Sequence, residues 1–181
     1  MSAPGFVLIL TGPPGAGKST VADVLTRGER LAVHLQSDDF FDRYIKGGYV
    51  LPWLPESQAQ NETVTRALVA TAYAYAEGGY FVVLDGIVGP WFLEPYRAAS
   101  RDRRILLSYA VLRADVETSV RRVRERNSHG LRAEPVVRDL HRQFSRLGEL
   151  ETHVIDSSTS SAERLAEEVR TALATGRLAL R

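Results

Sequence analysis

Five short runs dense in β-branched and aromatic residues punctuate the chain: Phe6–Thr11, Leu31–Gln36, Tyr80–Asp85, Ile105–Leu112 and His153–Ile155. Between them apolar positions recur at helical spacing, which predicts helices at about 18–27, 38–46, 57–77, 90–99, 115–126, 135–147 and 161–175. This alternation predicts an α/β fold with a mostly parallel sheet. The run "YFVVLD" is apolar on both faces until its last residue, as a central strand covered on both sides must be. Ligands of such sheets gather at the carboxyl ends of the strands. Gly12, Asp38, Asp85 and the 113–115 turn all fall at those ends and are expected to converge.

There is no internal repeat, low-complexity tract or linker, and 181 residues suffice for one domain with a sizeable core. A net charge of +1 gives no general grip on nucleic acid. The chain has no cysteine, which excludes a disulfide framework, a thiol nucleophile and a cysteine zinc site. No stretch approaches the ~18 apolar residues of a membrane span. The Phe6–Leu10 run is too short for a signal-peptide core and lacks a basic leader, so a soluble cytoplasmic protein is expected. Lys18 and Lys46 are the only lysines; every other basic residue of the lysine–arginine pair is arginine.

Lys18 stands in the chain's most specific motif. Gly12 to Ser19 read G-x-x-x-x-G-K-S, after a β-run and before the helical pattern "KSTVADVLTR". Glycines 12, 15 and 17 allow a sharp turn with inward-pointing N–H groups, and the following helix adds the positive end of its dipole. Gly12, Pro13, Pro14, Gly15, Ala16, Gly17, Lys18, Ser19 and Thr20 thus form a phosphate cradle. Lys18 reaches the β- and γ-phosphates, the Ser19 hydroxyl ligates Mg2+, and Thr20 turns to the α-phosphate or the scaffold.

What becomes of the nucleotide depends on residues elsewhere. Neither lysine outside or inside the loop makes the base-reading N/T-K-x-D of a guanine switch, and the chain lacks the further subdomains of a motor ATPase. Phosphoryl transfer to a bound acceptor needs a metal-holding acid and a carboxylate for the acceptor proton. Asp85, closing "VVLD", fits the first role through a water, or else simply starts an Asp-Gly turn. Asp38 of "LQSDDFFDR" fits the second, or else Ser37 or Asp38 caps a helix. Asp39 is the reserve base, or pairs with Arg43 at i,i+4, and Asp42 lies one turn on from Asp38.

The segment "SVRRVRERNSHGLRAEP" holds the highest basic density in the chain. Arg122 and Arg126 share a helix face, and a polar break follows them. Such a segment suits a lid, at about 122–136, whose arginines neutralise the transferring phosphoryl group while closure excludes water. Arg132 is a weaker candidate and His129 a polar loop residue. The alternative is a solvated helix face with Glu117 and Glu125 as partners.

With these parts in place, the chain resembles the P-loop kinase group that includes gluconate kinase, shikimate kinase and chloramphenicol phosphotransferase. The matches are "GPPGAGKST", "SDDFF", "VVLDG" and "RRVRERNSHGLR", the last resembling the R-x-x-x-R-x-x-H lid of gluconate kinases on Arg122, Arg126 and His129. "SDDFFDRYIKGGYVLPWLPES" is closest to uncharacterised bacterial P-loop proteins of this kinase type. The resemblance covers nearly the whole chain. It implies a single P-loop domain over 1–181, with five parallel strands in order 2-3-1-4-5 and helices on both faces. It implies Mg-ATP as donor and Asp38 as base, and it lays the Ser157–Ser160 loop, with Ser157, against the adenine.

The acceptor signatures of those kinases are absent from residues 47–56 and 86–96, which carry Tyr49, Trp53, Trp91, Phe92 and Tyr96 instead. An apolar pocket with few polar groups suits a small organic acceptor, held by Asp38, Tyr49, Trp53, Trp91 and Arg97, with Arg43 and Gln58 as further contacts. The alternative makes Trp53 and Trp91 core anchors of two loops. The expectation is an ATP- and Mg2+-dependent kinase with Asp38, Lys18, Arg122 and Arg126 as catalytic groups, acting on a small-molecule hydroxyl of sugar-like or antibiotic-like type. The rivals are a nucleotide or polynucleotide 5′-kinase and a non-catalytic ATP-binding regulatory module.

Overall fold

Strand β1 (Phe6–Thr11) is buried from Val7 to Thr11, so both of its faces and both of its edges must be covered. In the computed structural model, which describes residues 5–125 and 133–180, they are. β1 lies between β3 (Phe81–Asp85) and β4 (Leu107–Arg113); β2 (Ala32–Gln36) and β5 (Val154–Asp156) complete a sheet in the order β2-β3-β1-β4-β5. Every strand pairing in it is parallel. This is the expected topology.

Alternation along the strands divides the core into two layers. Val7, Ile9, Leu84, Tyr109 and Val111 face α2 (Gln58–Glu77) and α3 (Glu94–Arg103). Leu8, Leu10, Val83 and Leu112 face α1 (Lys18–Thr26) and α6 (Ala162–Ala174). Each fully buried leucine of this kind contributes roughly 1.5–3 kcal/mol. α4 (Val116–Glu125) and α5 (Glu134–Gln143) pack together through Val120, Val123 and Val137 beyond the carboxyl end of β4.

Three elements differ from the sequence pattern. The helix expected at 38–46 is one π-helical turn, Asp39–Arg43, followed by an open loop. Phe40 and Phe41 draw that turn onto the core, and Gly47, Gly48 and Pro52 prevent its extension. The helix expected at 90–99 is a 3-10 turn, Pro90–Phe92, and then α3, displaced because Pro95 is placed in a first turn and not an interior. α5 ends at Gln143, where buried Phe144 anchors the chain. The tail adds an unexpected antiparallel bridge between Ala179 and Ser108, with Tyr109 donating to the Leu178 carbonyl at 2.9 Å.

Candidate functional site

The loop after β1 is shaped by steric exclusion. Gly12 has φ +139°, and a Cβ there would lie 1.9 Å from the Leu112 carbonyl oxygen. Gly15 has φ +82°, and its Cβ would lie 2.4 Å from the Ser119 carbonyl oxygen. Left-handed Gly17 begins α1 without any side-chain cap, so the helix presents bare N–H groups to the loop. The Lys18 ammonium donates to the carbonyls of Gly12 and Pro13, each at 3.1 Å, and so spans the loop's mouth.

At the end of β3, Asp85 is 4% exposed. It receives His34 Nε2 at 3.2 Å, while His34 Nδ1 meets Asp23 at 2.8 Å. Burial pushes the Asp85 carboxyl up, but hydrogen bonds from His34 and Ser19 and the charge of Lys18 outweigh it and hold it below the usual carboxylate range. Burial likewise lowers His34, and its two carboxylate partners reverse this to a net rise. The result is a hydrogen-bonded chain, Asp23–His34–Asp85, close to Lys18 and Ser19 of the phosphate loop. Sequence reasoning missed His34. Its pairing with Val83 in the β2–β3 register places it on the face that carries Asp85, so strand order with alternation was the available signal.

Asp38 faces solvent at the opening between β2 and the π-helical turn, yet cleft walls hem in its carboxyl. That enclosure raises its pKa, as do Asp85 and Asp42, against the pull of Lys18 and of a hydrogen bond from Ser37. Two carboxylates under the influence of one lysine are therefore pushed apart: Asp85 down, Asp38 up. Asp39 is occupied by Arg43 at 3.6 Å, the pairing expected if it is not the base.

Beyond Asp38 opens a cleft of about 770 Å³, bounded by Tyr49, Trp53, Trp91, Ile87 and, across from them, Leu140 of α5. Tyr49, Trp53 and Trp91 thus join Asp38 as expected. Trp53 and Trp91, at 38% and 50% exposure, are cleft walls and not core anchors. The Trp91 ring lies on the Gly89 backbone, where a Cβ would come within 2.3 Å of it, and 5.9 Å from the Phe144 ring. The first turns of α2 pin the opposite wall: Gln60 exchanges hydrogen bonds with the Val50 backbone, and Asn61 Nδ2 donates to Pro52 at 2.8 Å. Arg97, an expected acceptor contact, is not part of this lining; it sits close enough to Tyr109 to influence its hydroxyl. Arg43 is likewise turned to Asp39, and Gln58, which does line the cleft, donates to Glu62.

A second pocket, about 340 Å³, lies on the other side of the phosphate loop against Gly15–Gly17, Thr20, Arg122, Ser160 and Leu165. Arg122, expected as a catalytic and nucleotide-binding group, is among its lining residues. Its guanidinium donates to the carbonyls of Gly15, Ser157 and Ser158 at 3.4, 2.9 and 3.1 Å, bracing the phosphate loop against the 157–160 loop. Ser157 is fully buried and is absent from the pocket's lining, where Ser160 stands instead. Arg126, His129 and Arg132 lie outside the described residues. Of the basic segment's remaining arginines, Arg124 pairs with Glu134, and α5's Arg138 reaches back to Glu117 at 2.8 Å, so the two helices are tied by charge.

Among the described residues no helix is long and apolar enough to cross a membrane, and no group of three or more histidine or acidic side chains forms a metal cage. Residues 7–150 match the AAA domain family AAA_33. A cytidylate kinase of Sulfurisphaera tokodaii is 25% identical over 89 residues, and the match spans about half of each chain, 49% of both. Among solved structures, the Mycobacterium tuberculosis APS kinase has a TM-score of 0.71 at 20% identity, over 96% of this chain and 99% of its own. The Acinetobacter baumannii shikimate kinase, bound to shikimate, has a TM-score of 0.62 at 21% identity, over 95% of this chain and 94% of its own.

Proposed function

Because the chain belongs to the AAA domain family AAA_33, we propose that it is an ATP- and Mg2+-dependent phosphotransferase that moves the γ-phosphate to a hydroxyl of a small molecule. The reading takes residues 1–181 as a single cytoplasmic kinase domain with a lid at about 122–136. The observation that carries it is the placement of two carboxylates about the phosphate loop that Lys18 spans: Asp85 buried at the end of β3 and shifted down, Asp38 on the adjoining cleft and shifted up.

Gly12 to Thr20 cradle the phosphates, and Lys18 moves from its own loop carbonyls to the β- and γ-oxygens. The hard oxygens of Ser19 and Asp85 fit Mg2+, which typically takes one or two carboxylates plus substrate phosphates and water and needs no protein cage. When bound, Mg2+ neutralises charge developing on the phosphate oxygens. His34 keeps Asp85 aimed and anionic. The acceptor hydroxyl oxygen bonds to the γ-phosphorus while its proton passes to Asp38; the bond from that phosphorus to the ADP oxygen breaks. Arg122 braces the phosphate loop against the 157–160 loop beside the second pocket. Aromatic walls position the acceptor and exclude water.

The test is transfer from radiolabelled Mg-ATP to a broad set of hydroxyl compounds and nucleotides. Transfer to at least one, abolished in Asp38→Asn, is expected; no transfer to any would overturn the reading, and transfer retained in Asp38→Asn would overturn the base assignment alone. The cytidylate kinase match favours a nucleotide acceptor as a second reading. Against it, a phosphate in the cleft would face Asp38, Asp42 and Asp139. A non-catalytic ATP-binding module predicts function indifferent to Asp38.

A further inference from the structure

Every charged side chain in the described lining of the large cleft is a carboxylate. Asp38, Asp42 and Asp139 line it, and its described lining contains no lysine or arginine. Several of its donors are already directed at protein: Gln143 Nε2 to Asp139, Gln58 Nε2 to Glu62, the Ser57 hydroxyl to Pro52 and Leu54. Asp139 is also paired with Arg142. Asp42 is different. Among the described residues it has no ion-pair partner, and the Tyr49 hydroxyl donates to it at 3.2 Å and fixes its place at the cleft wall.

A second observation points the same way. Asn61 is 8% exposed and lines the cleft. Its Nδ2 donates to the Pro52 carbonyl and to Ser57, which settles the orientation of the amide because the Pro52 carbonyl can only accept. Its Oδ1 is buried without a hydrogen-bond partner. A buried acceptor without a donor is unfavourable by about 1–3 kcal/mol, a cost that a donor carried by an occupant of the cleft would relieve. Trp53 and Trp91 line the same space.

We propose that the acceptor of this cleft is a cationic amino compound: a hydroxyl-bearing amine whose ammonium is recognised by Asp42, with Trp53 and Trp91 against its ring or stem and Asn61 taking a further donor. The inference rests on the phosphotransferase reading for the fate of the hydroxyl, and on the cleft alone for the charge of the ligand. An anionic acceptor would meet Asp38 and Asp42, beside an Asp139 already paired with Arg142, with no lysine or arginine in the described lining. An ammonium gains a charge-assisted hydrogen bond and a cation–π contact.

The experiment uses matched acceptors differing in charge: D-glucosamine, N-acetyl-D-glucosamine, D-glucose and D-gluconate, and at larger size kanamycin A with its per-N-acetylated form. Transfer from Mg-ATP and calorimetric binding are both measured. Free amines are expected to exceed their acetylated and acidic partners in kcat/KM and affinity by roughly tenfold or more. That advantage should collapse in Asp42→Asn and turn toward D-gluconate in Asp42→Lys. Equal or better use of the acetylated or acidic compounds overturns the cationic acceptor and leaves phosphotransfer standing. Amine binding that weakens in Asp42→Asn but brings no transfer upholds the cationic site and overturns phosphotransfer. Failure of every amine to bind overturns the proposal.

Discussion

The two sides of the Lys18 ammonium are built in opposite ways. On the phosphate side, backbone does the shaping: left-handed glycines, uncapped N–H groups and carbonyls that sit where any Cβ would have to be. On the acceptor side, side chains do it, brought in from the 47–54 loop, α2, the 86–92 segment and α5. The first kind of site follows from the stereochemistry of a few consecutive residues. The second exists only after distant elements have packed. Substitutions on the two sides should therefore fail differently, the first through folding and nucleotide binding, the second through acceptor selection.

The hardest blow is Gly12→Ala. It places a methyl group against the Leu112 carbonyl and forces an alanine to φ +139°. Strain and overpacking together amount to roughly 2–5 kcal/mol. The expected outcome in a thermal melt is a much lower midpoint that Mg-ATP no longer raises; a wild-type midpoint with normal ATP stabilisation would show that the loop is not constrained by backbone contact. On the other side, Asp38→Asn keeps shape and removes the base. Its kcat should fall by roughly 10²–10⁴ with Mg-ATP affinity retained. An equal loss of ATP affinity would merge the two sides into one.

The same division explains what could be read before the fold was known. The phosphate loop, the parallel α/β class and Asp85 were legible because each depends on local pattern: a fixed spacing, alternation of strand and helix, an apolar run ending in an acid; the strand order came only with the family resemblance. The Tyr49, Trp53 and Trp91 grouping was legible because two loops follow two strand ends. Arg97 was misplaced because helix phase decides which way α3 points it, and α3 itself begins four residues later than the pattern suggested. Arg122 was picked out by local charge density, which does not reveal the carbonyls of Gly15, Ser157 and Ser158 that it also holds. His34 looked like an ordinary strand residue; only the diagonal neighbour on β3 gives it a task.

That task sharpens the comparison, since His34 supports the phosphate side with a side chain and not with backbone. His34→Ala should lower the rate at limiting Mg2+ by roughly 10–100-fold, as loss of a residue that orients a metal-holding carboxylate does. Excess Mg2+ should recover part of the rate, and no dependence on Mg2+ would separate His34 from that role. Trp53→Ala tests the acceptor wall with a smaller expected effect. Loss of a half-exposed aromatic contact is worth about 1–2 kcal/mol, a five- to thirtyfold rise in acceptor KM, with ATP affinity unmoved. A change in ATP affinity instead would place Trp53 on the phosphate side.

The smallest effect is a stability change at Asp38, and its sign separates a base held ready from a residue that merely caps the π-helical turn. Enclosure and the neighbouring carboxylates raise the folded-state pKa of Asp38 above its unfolded value. The folded protein therefore binds this proton more tightly than the unfolded chain. The stabilisation is full below the unfolded pKa and is lost as pH rises through the raised folded value. At neutral pH the ionised carboxyl is a net burden on the fold. Asp38→Asn, which cripples transfer, should then melt slightly higher than wild type at pH 7, with the gain fading as pH falls through the raised folded value and gone below the unfolded one. A helix-capping Asp38 would give the reverse, a lower midpoint at pH 7. The same raised pKa sets the acid limb of kcat/KM above that of an ordinary carboxylate, so the midpoint of that limb and the pH at which the melting gain fades should move together. Divergence of the two would show that the group limiting the rate is not Asp38.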